Sequence, residues 1–370
     1  MKDTPRIIIS GGGTGGHIFP AISIANAIKR ECEQSEILFV GAVGKMEMER
    51  VPAAGYEIKG LTIAGLKRSL SISNLKIPFL LLKSLREARR VIKEFKPHVV
   101  VGVGGYASAP TLWSAGSMGI PYLIQEQNSY AGITNRILSK RAAKVCVAYH
   151  GMDRFFSPEK ILLTGNPVRD GIKRATQEEK QKAKALLGIE ESTPTILVVG
   201  GSLGAGTLNR CLKNWMLQNQ TSNVTIIWQC GKYYFKDCNE FVKENPRDYI
   251  KLFEFIKEMD MAFAAADVVI SRAGAGTISE LCIAAKASIF VPSPNVAEDH
   301  QTHNALSLVK DGAAEMVADS QAELKLMQSA YALIGNRERI IELEDKIGNL
   351  AMHGAAGIIA KEVLNLIKKG

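Results

Sequence analysis

Ten short, almost wholly apolar runs recur along the chain with helix-sized or longer stretches between them, and this spacing is the strongest constraint on the fold. They are RIIIS (6–10), EILFV (36–40), HVVVGV (98–103), PYLI (121–124), AKVCVA (143–148), TILVVG (195–200), VTIIWQ (224–229), YIKLF (249–253), DVVIS (267–271) and ASIFV (287–291). Strands that alternate with helical stretches form βαβ units and parallel sheets. Such strands are covered on both faces, so they read as continuous apolar runs instead of alternating ones. A chain of 370 residues exceeds the usual size of one domain, and two sheets hold this many strands better than one.

The two halves also open alike. Strand Arg6–Ser10 leads into Gly11-Gly12-Gly13-Thr14-Gly15-Gly16 and an apolar helix from about Phe19; strand Thr195–Val199 leads into Gly200-Gly201-Ser202-Leu203-Gly204-Ala205-Gly206 and a helix from about Thr207. This weak internal repeat predicts an α/β chain of two Rossmann-like, doubly wound domains with mostly parallel sheets, facing each other across a cleft, with ligands at the carboxyl ends of the strands. The expected boundaries are 1–165 for the first domain, 166–345 for the second and 346–370 for a C-terminal helix with the option of packing back on the first. The polar stretch 169–193 begins as a linker and becomes the first helix of the second domain. In the tail, Ile358, Ile359, Val363, Leu364, Leu366 and Ile367 give an amphipathic helix its apolar side.

Gly11, Gly13 and Gly16 formally satisfy GxGxxG. A dinucleotide site also wants an acidic residue about 20 positions on, at the end of the second strand. Here that strand ends Phe39-Val40-Gly41 and Glu36 stands at its start, so NAD is disfavoured. His17 follows Gly16 with no Gly-Lys-Ser/Thr, which excludes a Walker A loop. What remains is a tight turn, or a set of backbone N–H groups at a helix N-terminus suited to phosphate or pyrophosphate. His17, in the first turn of that helix, is either a structural histidine or a group that titrates near neutrality and serves as a general base.

A third glycine cluster, Ser271-Arg272-Ala273-Gly274-Ala275-Gly276-Thr277-Ile278-Ser279-Glu280, follows DVVIS and opens another helix. Its amides suit diphosphate oxygens, while Glu280 suits sugar or ribose hydroxyls, or is merely favourable charge near a helix start. ASIFV runs into Pro292-Ser293-Pro294-Asn295 and Glu298-Asp299-His300-Gln301, a polar loop where an open α/β sheet places ligand contacts. His300 and His303 lack an evident third metal ligand, and the chain has no Asp-x-Asp to hold a divalent ion against a diphosphate. Six scattered cysteines without a CxxC pair fit a reduced compartment. MKDTPRIIIS leaves no room for a signal peptide's apolar region, and the uncharged stretch Pro97–Gln125 is broken by glycines and prolines, so no bilayer span is expected.

The formal charge of +9 points to an anionic partner. The surplus is local: residues 1–165 carry 22 basic and 12 acidic groups, residues 166–370 carry 24 and 25, and Lys59 to Lys96 holds ten basic residues against Glu87 and Glu94. Those cations interleave with Leu61, Ile63, Leu66, Leu70, Leu80, Leu82 and other apolar residues. One reading is a core-facing helix with a solvated basic face; another is a patch that docks on anionic lipid. A nucleic-acid site is disfavoured because Phe79 and Phe95 are the only aromatic residues available for stacking there.

GGGTGGHIFPA (11–21), GVGGYASAP (102–110), QEQNSYAGITN (125–135), LLTGNPVR (162–169), GGSLGAGTLN (200–209), SRAGAGTISE (271–280) and the loop from Pro292 to Asn304, taken in order, resemble the MurG family of peptidoglycan glycosyltransferases. The resemblance runs from the first strand to about Asn304. It implies a GT-B fold, with a lipid-linked acceptor on the N-terminal domain and UDP-GlcNAc mainly on the C-terminal one. It further implies inverting transfer of GlcNAc from UDP-GlcNAc to the C4 hydroxyl of undecaprenyl-pyrophosphoryl-MurNAc-pentapeptide (lipid I), giving lipid II.

Carried over by motif, Thr14, Gly15 and Gly16 cradle the acceptor's diphosphate, His17 deprotonates the attacking hydroxyl, and Asn128 reaches the cleft from the acceptor side. Arg169 and Ser202 contact the nucleotide diphosphate, Ile256 the uracil, Ala275, Gly276 and Thr277 the phosphates, Glu280 the ribose, and Gln301 with Asn304 the GlcNAc hydroxyls. Helix N-termini and Arg169 meet the leaving-group charge, so no metal and no obligatory cofactor are expected. The implied location is the cytoplasmic face of the inner membrane, held peripherally through Lys59–Lys96, with other cell-wall or division proteins as further partners. Two positions depart from the pattern: Gln125, where many relatives have His, rules out proton transfer there, and Leu203 stands where a polar residue is common. Competing readings are a transferase acting on another lipid such as diacylglycerol, a UDP-GlcNAc epimerase, and a non-catalytic nucleotide-sugar-binding scaffold.

Overall fold

The computed structural model describes residues 4–63, 77–105, 107–169, 171–201 and 203–369. They divide into two compact units, the described parts of Met1–Asp170 and His353–Gly370 forming the first and Gly171–Met352 the second. All ten apolar runs are strands, and three more strands join them.

In the first unit β1 (Arg6–Ser10), β2 (Glu36–Ala42), β3 (Glu57–Leu61), β4 (Val99–Gly102), β5 (Tyr122–Glu126), β6 (Lys144–Val147) and β7 (Ile161–Leu163) form a parallel sheet in the order β3-β2-β1-β4-β5-β6-β7. Helices α1 (Gly15–Glu31), α2 (Glu47–Ala53), α3 (Ile77–Phe95), α4 (Ser108–Ser117) and α5 (Ile133–Leu138) lie in the connections. Successive residues of a strand point to opposite faces. Accordingly Ile7 and Ile9 join Ile24 and Ile28 of α1, while Ile8 joins Ala88 and Ile92 of α3 and Leu112 of α4. None of these side chains is more than 1% exposed, and burying each large one contributes about 1.5–3 kcal/mol.

In the second unit α6 (Gln177–Leu186) is followed by β8 (Thr195–Val199), α7 (Gly206–Gln218), β9 (Thr225–Gln229), α8 (Phe235–Glu244), β10 (Ile250–Phe253), α9 (Met259–Ala265) and β11 (Val268–Ser271). Then come α10 (Ala275–Ala284), β12 (Ala287–Phe290), α11 (His300–Lys310), β13 (Glu315–Met316), α12 (Ala322–Ile334) and α13 (Arg337–Asn349). The parallel order is β10-β9-β8-β11-β12-β13. Ile196, Val198, Trp228 and Ile270 pack with Leu208 and Leu212 of α7 and Leu326 and Leu333 of α12. A capping box closes the start of α6: Thr176 Oγ1 accepts from the Glu179 N–H and the Glu179 carboxylate accepts from the Thr176 N–H.

The three strands outside those ten runs are β3, β7 and β13, each short or partly polar and each at a sheet edge. Edge strands are half solvated, so Glu57 and Lys59 alternate with covered residues in β3 and no continuous run forms. The first helix begins at Gly15, four residues before the sequence suggested. The boundaries also move. The first unit runs to residue 170, not 165, because Asn166 is bonded to Gln125 and to the Gln127 carbonyl, and the Val168 carbonyl accepts from Ser23. The second unit keeps α13, whose Ile340 and Leu343 are in its core. The chain then returns: α14 (Ala355–Lys369) packs on α1 through Ile359, Ala360 and Val363.

Of the basic segment, residues 64–76, including Lys67, Arg68 and Lys76, lie outside the described residues. The described helix α3 changes character along its length. Ser84, Ala88 and Ile92 are buried, whereas Phe79 is 76% exposed and Leu81 and Leu82 are also exposed. Among the described residues no helix is long and apolar enough to cross a membrane.

Candidate active site

The strand order of the first sheet reverses between β1 and β4, and an open α/β sheet offers its ligand crevice where the order reverses, beyond the carboxyl ends of the strands. Both loops there are rich in glycine, and they interlock: the Gly12 N–H donates to the Gly104 carbonyl at 3.3 Å. Gly104 has φ +94°, and a Cβ on it would stand 2.7 Å from His17 Cδ2 and 2.9 Å from Nε2. The missing side chain is what gives the imidazole its place. His17 lies in the first turn of α1, half-buried, with Nδ1 3.3 Å from Thr14 Oγ1. The first N–H groups of a helix have no intrahelical acceptor, and for Gly15 and Gly16 no acceptor is found among the described residues. They form the open N-terminal end of α1.

The turn is braced from below by a carboxylate that sequence reasoning missed. Glu47, the first residue of α2 and 1% exposed, accepts from the Gly13 N–H at 2.8 Å and from the Ala42 N–H at 3.0 Å. One amide of the glycine turn is therefore spent inside the protein, and the turn is tied to the end of β2. A second carboxylate organises the loop after β5. Glu126 accepts from the Asn128 N–H (3.0 Å) and Nδ2 (3.3 Å), the Gly132 N–H (3.3 Å) and Asn135 Nδ2 (2.8 Å). Burial pushes its carboxyl above the ordinary value against the pull of these donors. Asn128 is half-buried and oriented by that carboxylate. Arg169 lies in the first unit, not in the donor half to which its motif assigned it, with its guanidinium 5.6 Å from the centre of the Phe19 ring.

The second sheet reverses between β8 and β11. After β8 the glycine turn closes through the Gly204 N–H on the Gly201 carbonyl at 3.1 Å and opens α7. Gly204, at φ +91°, is pressed against the Cys230 carbonyl and the Tyr234 ring. After β11, Gly274 caps α10, and the space around Gly276 is open where a side chain would be. Arg272 fastens this loop by donating to the Val291 and Pro292 carbonyls at 2.9 and 3.2 Å and pairing with Asp319 at 2.5 Å. Ala275, Gly276 and Thr277 form the first turn of α10, and Glu280 is buried in its second turn.

The remaining expected residues divide. Ile256 is buried, and its N–H donates to Gln229 Oε1 at 2.8 Å. Gln301 Oε1 is taken by the Ser293 N–H at 2.8 Å, which fixes the loop after β12. Asn304 is 0% exposed and its Nδ2 donates to the Ala273 carbonyl at 3.4 Å. That bond ties the start of α11 to the loop that opens α10. Ser202 lies outside the described residues. Gln125 is buried and holds Asn166, a structural position. Among the described residues, no group of three or more metal-ligating side chains forms, His300 and His303 included.

Two parallel sheets of this order, each with a glycine turn and a helix N-terminus at its reversal point, make a GT-B-like α/β architecture. Models of the glycosyltransferase family 28 N-terminal and C-terminal domains match residues 7–147 and 195–360, and the chain belongs to this family. A protein of Parabacteroides distasonis is 53% identical over 98% of this chain and 99% of its own length. Its name is UDP-N-acetylglucosamine–N-acetylmuramyl-(pentapeptide) pyrophosphoryl-undecaprenol N-acetylglucosamine transferase. The crystal structure of MurG from Acinetobacter baumannii matches with a TM-score of 0.76 at 28% identity, covering 98% of this chain and 99% of that one. A UDP-GlcNAc 2-epimerase of Neisseria meningitidis matches with a TM-score of 0.66 at 13% identity, over 98% of this chain and 100% of that one, which shows a shared fold alone.

Proposed function

We propose that this chain moves GlcNAc from UDP-GlcNAc to the C4 hydroxyl of undecaprenyl-pyrophosphoryl-MurNAc-pentapeptide, inverting the anomeric carbon. The observation that carries the reading is the 53% identity, over almost the whole of both chains, to a transferase named for that donor and acceptor.

The first unit takes the acceptor. Thr14, Gly15 and Gly16 at the start of α1 receive its diphosphate, where unanswered N–H groups and the positive end of the helix favour an anion. His17 removes the proton from the attacking hydroxyl. Thr14 Oγ1 faces Nδ1, so a proton held on Nδ1 makes Nε2 the basic nitrogen. Asn128, held by Glu126, orients the acceptor sugar. The second unit takes the donor: Ile256 meets the uracil, Glu280 the ribose, Ser202 the diphosphate and Gln301 the GlcNAc. As the C4 oxygen bonds to C1, the bond from C1 to the UDP oxygen breaks on the opposite face. The charge on the departing UDP is met by the amides of Ala275, Gly276 and Thr277 and by Arg169. No step is assigned to a metal ion or cofactor.

The enzyme works peripherally on the cytoplasmic face of the inner membrane. Supporting this are Phe79, Leu81 and Leu82, exposed on α3 with Lys83, Arg86, Arg89 and Arg90 on the same helix, and Trp113 and Ile137 exposed on α4 and α5. Apolar and cationic side chains together provide both terms of interfacial binding.

Purified protein, UDP-GlcNAc and alternative acceptors test the reading. Turnover is expected with a lipid I analogue; turnover only with diacylglycerol sinks it, and binding of UDP-GlcNAc without any turnover favours a scaffold. His17→Ala is expected to keep UDP binding and to lower kcat by roughly 10²–10⁴; unchanged turnover removes His17 as the base.

A further inference from the structure

We propose that Gln229 is a positioning residue of the donor site, a clasp across the carboxyl edge of the second sheet that holds two ligand-facing loops in register. The proposal rests on the reading of the second unit as the donor-binding one. Gln229 is the last residue of β9, paired in register with Val199 of β8 on one side and Phe253 of β10 on the other. Just beyond those partners the chain leaves the sheet, after β8 as the glycine turn that opens α7 and after β10 as the segment that carries Ile256. From between them, Gln229 Nε2 donates to the Gly201 carbonyl at 3.1 Å, and Gln229 Oε1 accepts from the Ile256 N–H at 2.8 Å. The residue is 2% exposed.

The two ends dictate the side chain. A carbonyl requires a donor and an N–H requires an acceptor, so only one orientation of the amide satisfies both. An ionised glutamate brings no donor, a lysine no acceptor, and leucine neither. The Gly201 carbonyl also receives the Gly204 N–H at 3.1 Å, so both of its lone pairs are engaged and the peptide at the heart of the glycine turn is fixed. Gln229 thus sets where the turn that faces the diphosphate stands relative to the segment that faces the base.

The test is steady-state kinetics of the full-length enzyme with a soluble acceptor, beside UDP binding and thermal melting, for Gln229→Leu and Gln229→Glu. Losing both bonds in Gln229→Leu is expected to raise the KM for UDP-GlcNAc and the Kd for UDP about tenfold, with the acceptor KM within about twofold of the parent. Gln229→Glu supplies the readout that a purely structural residue lacks. A buried carboxyl gains a proton readily, and the protonated acid both donates and accepts as the amide does. Its donor KM, taken relative to the parent at each pH, is expected to be raised at about pH 8 and to recover toward the parent at about pH 6. If Gln229→Leu fails to fold, this pH series carries the test. A donor KM unchanged in folded Gln229→Leu, equal losses for donor and acceptor, or a defect in Gln229→Glu that is the same at both pH values overturns the clasp. Failure of the unaltered protein to bind UDP overturns the donor-site reading itself, and needs no variant to be seen.

Discussion

Glu47 carries the first glycine turn on two hydrogen bonds, one to the Gly13 N–H and one to the Ala42 N–H. Glu47→Gln keeps the shape but turns one acceptor into a donor that meets another N–H. An unanswered buried N–H costs about 1–3 kcal/mol. Glu47→Gln is therefore expected to lower the melting temperature and, through the displaced turn and His17, to cut kcat about tenfold or more, with UDP affinity retained. Parallel loss of UDP affinity would indicate general unfolding instead. Nothing local marks this residue: Glu49, two positions on, is equally acidic yet exposed, while Glu47 is buried. Gln229 is hidden in the same way, since its partners lie 27 or more residues away in the chain. The glycine turns and His17 were legible because a backbone that must bend sharply and leave its amides bare excludes side chains locally.

At the scale of elements, α3 shows how one segment serves two surfaces. Its second half supplies Ala88 and Ile92 to the core, and its first half leaves Phe79 and Leu82 in solvent beside Lys83. The triple variant Phe79→Ser, Leu82→Ser, Lys83→Ser is expected to weaken binding to phosphatidylglycerol vesicles about tenfold or more, with turnover of a short-chain soluble acceptor near that of the parent. Equal loss in both assays would place the helix in the catalytic machinery. Helix α14 makes the complementary point. Its apolar side is plain in the sequence, but the partner is not: it follows α13 of the second unit and packs on α1 of the first. An amphipathic stripe states that a face will be buried, not against what.

The whole molecule also has a pH dependence of stability built into the base of its second sheet. Lys286 is 6% exposed and donates to the Ala266 carbonyl at 2.9 Å, and burial drives its ammonium group down to about 8. Close by, Asp267 accepts from Lys180 and from the Thr195 N–H, and although burial pushes its carboxyl up, these partners and Lys184 hold it below the ordinary value. Between about pH 8 and the unfolded lysine value of about 10.4 the unfolded chain binds more protons at Lys286, so this residue's contribution to stability rises with pH across that window. The shift corresponds to roughly 3 kcal/mol. Lys286→Met is expected to be more stable than the parent near about pH 7 and to lose about 3 kcal/mol of that advantage by about pH 10.4; denaturant unfolding at the two pH values measures it, and a constant difference contradicts it. The sequence by itself determined the parallel α/β class, the division into two halves, the glycine turns and the family, because strand runs, turn chemistry and ordered motifs are written in neighbouring residues. Tertiary structure decided which buried polar groups hold those turns, where the chain crosses between units and which helix closes which core. Those outcomes depend on groups brought together from distant parts of the chain, and only packing sets their distances and burial.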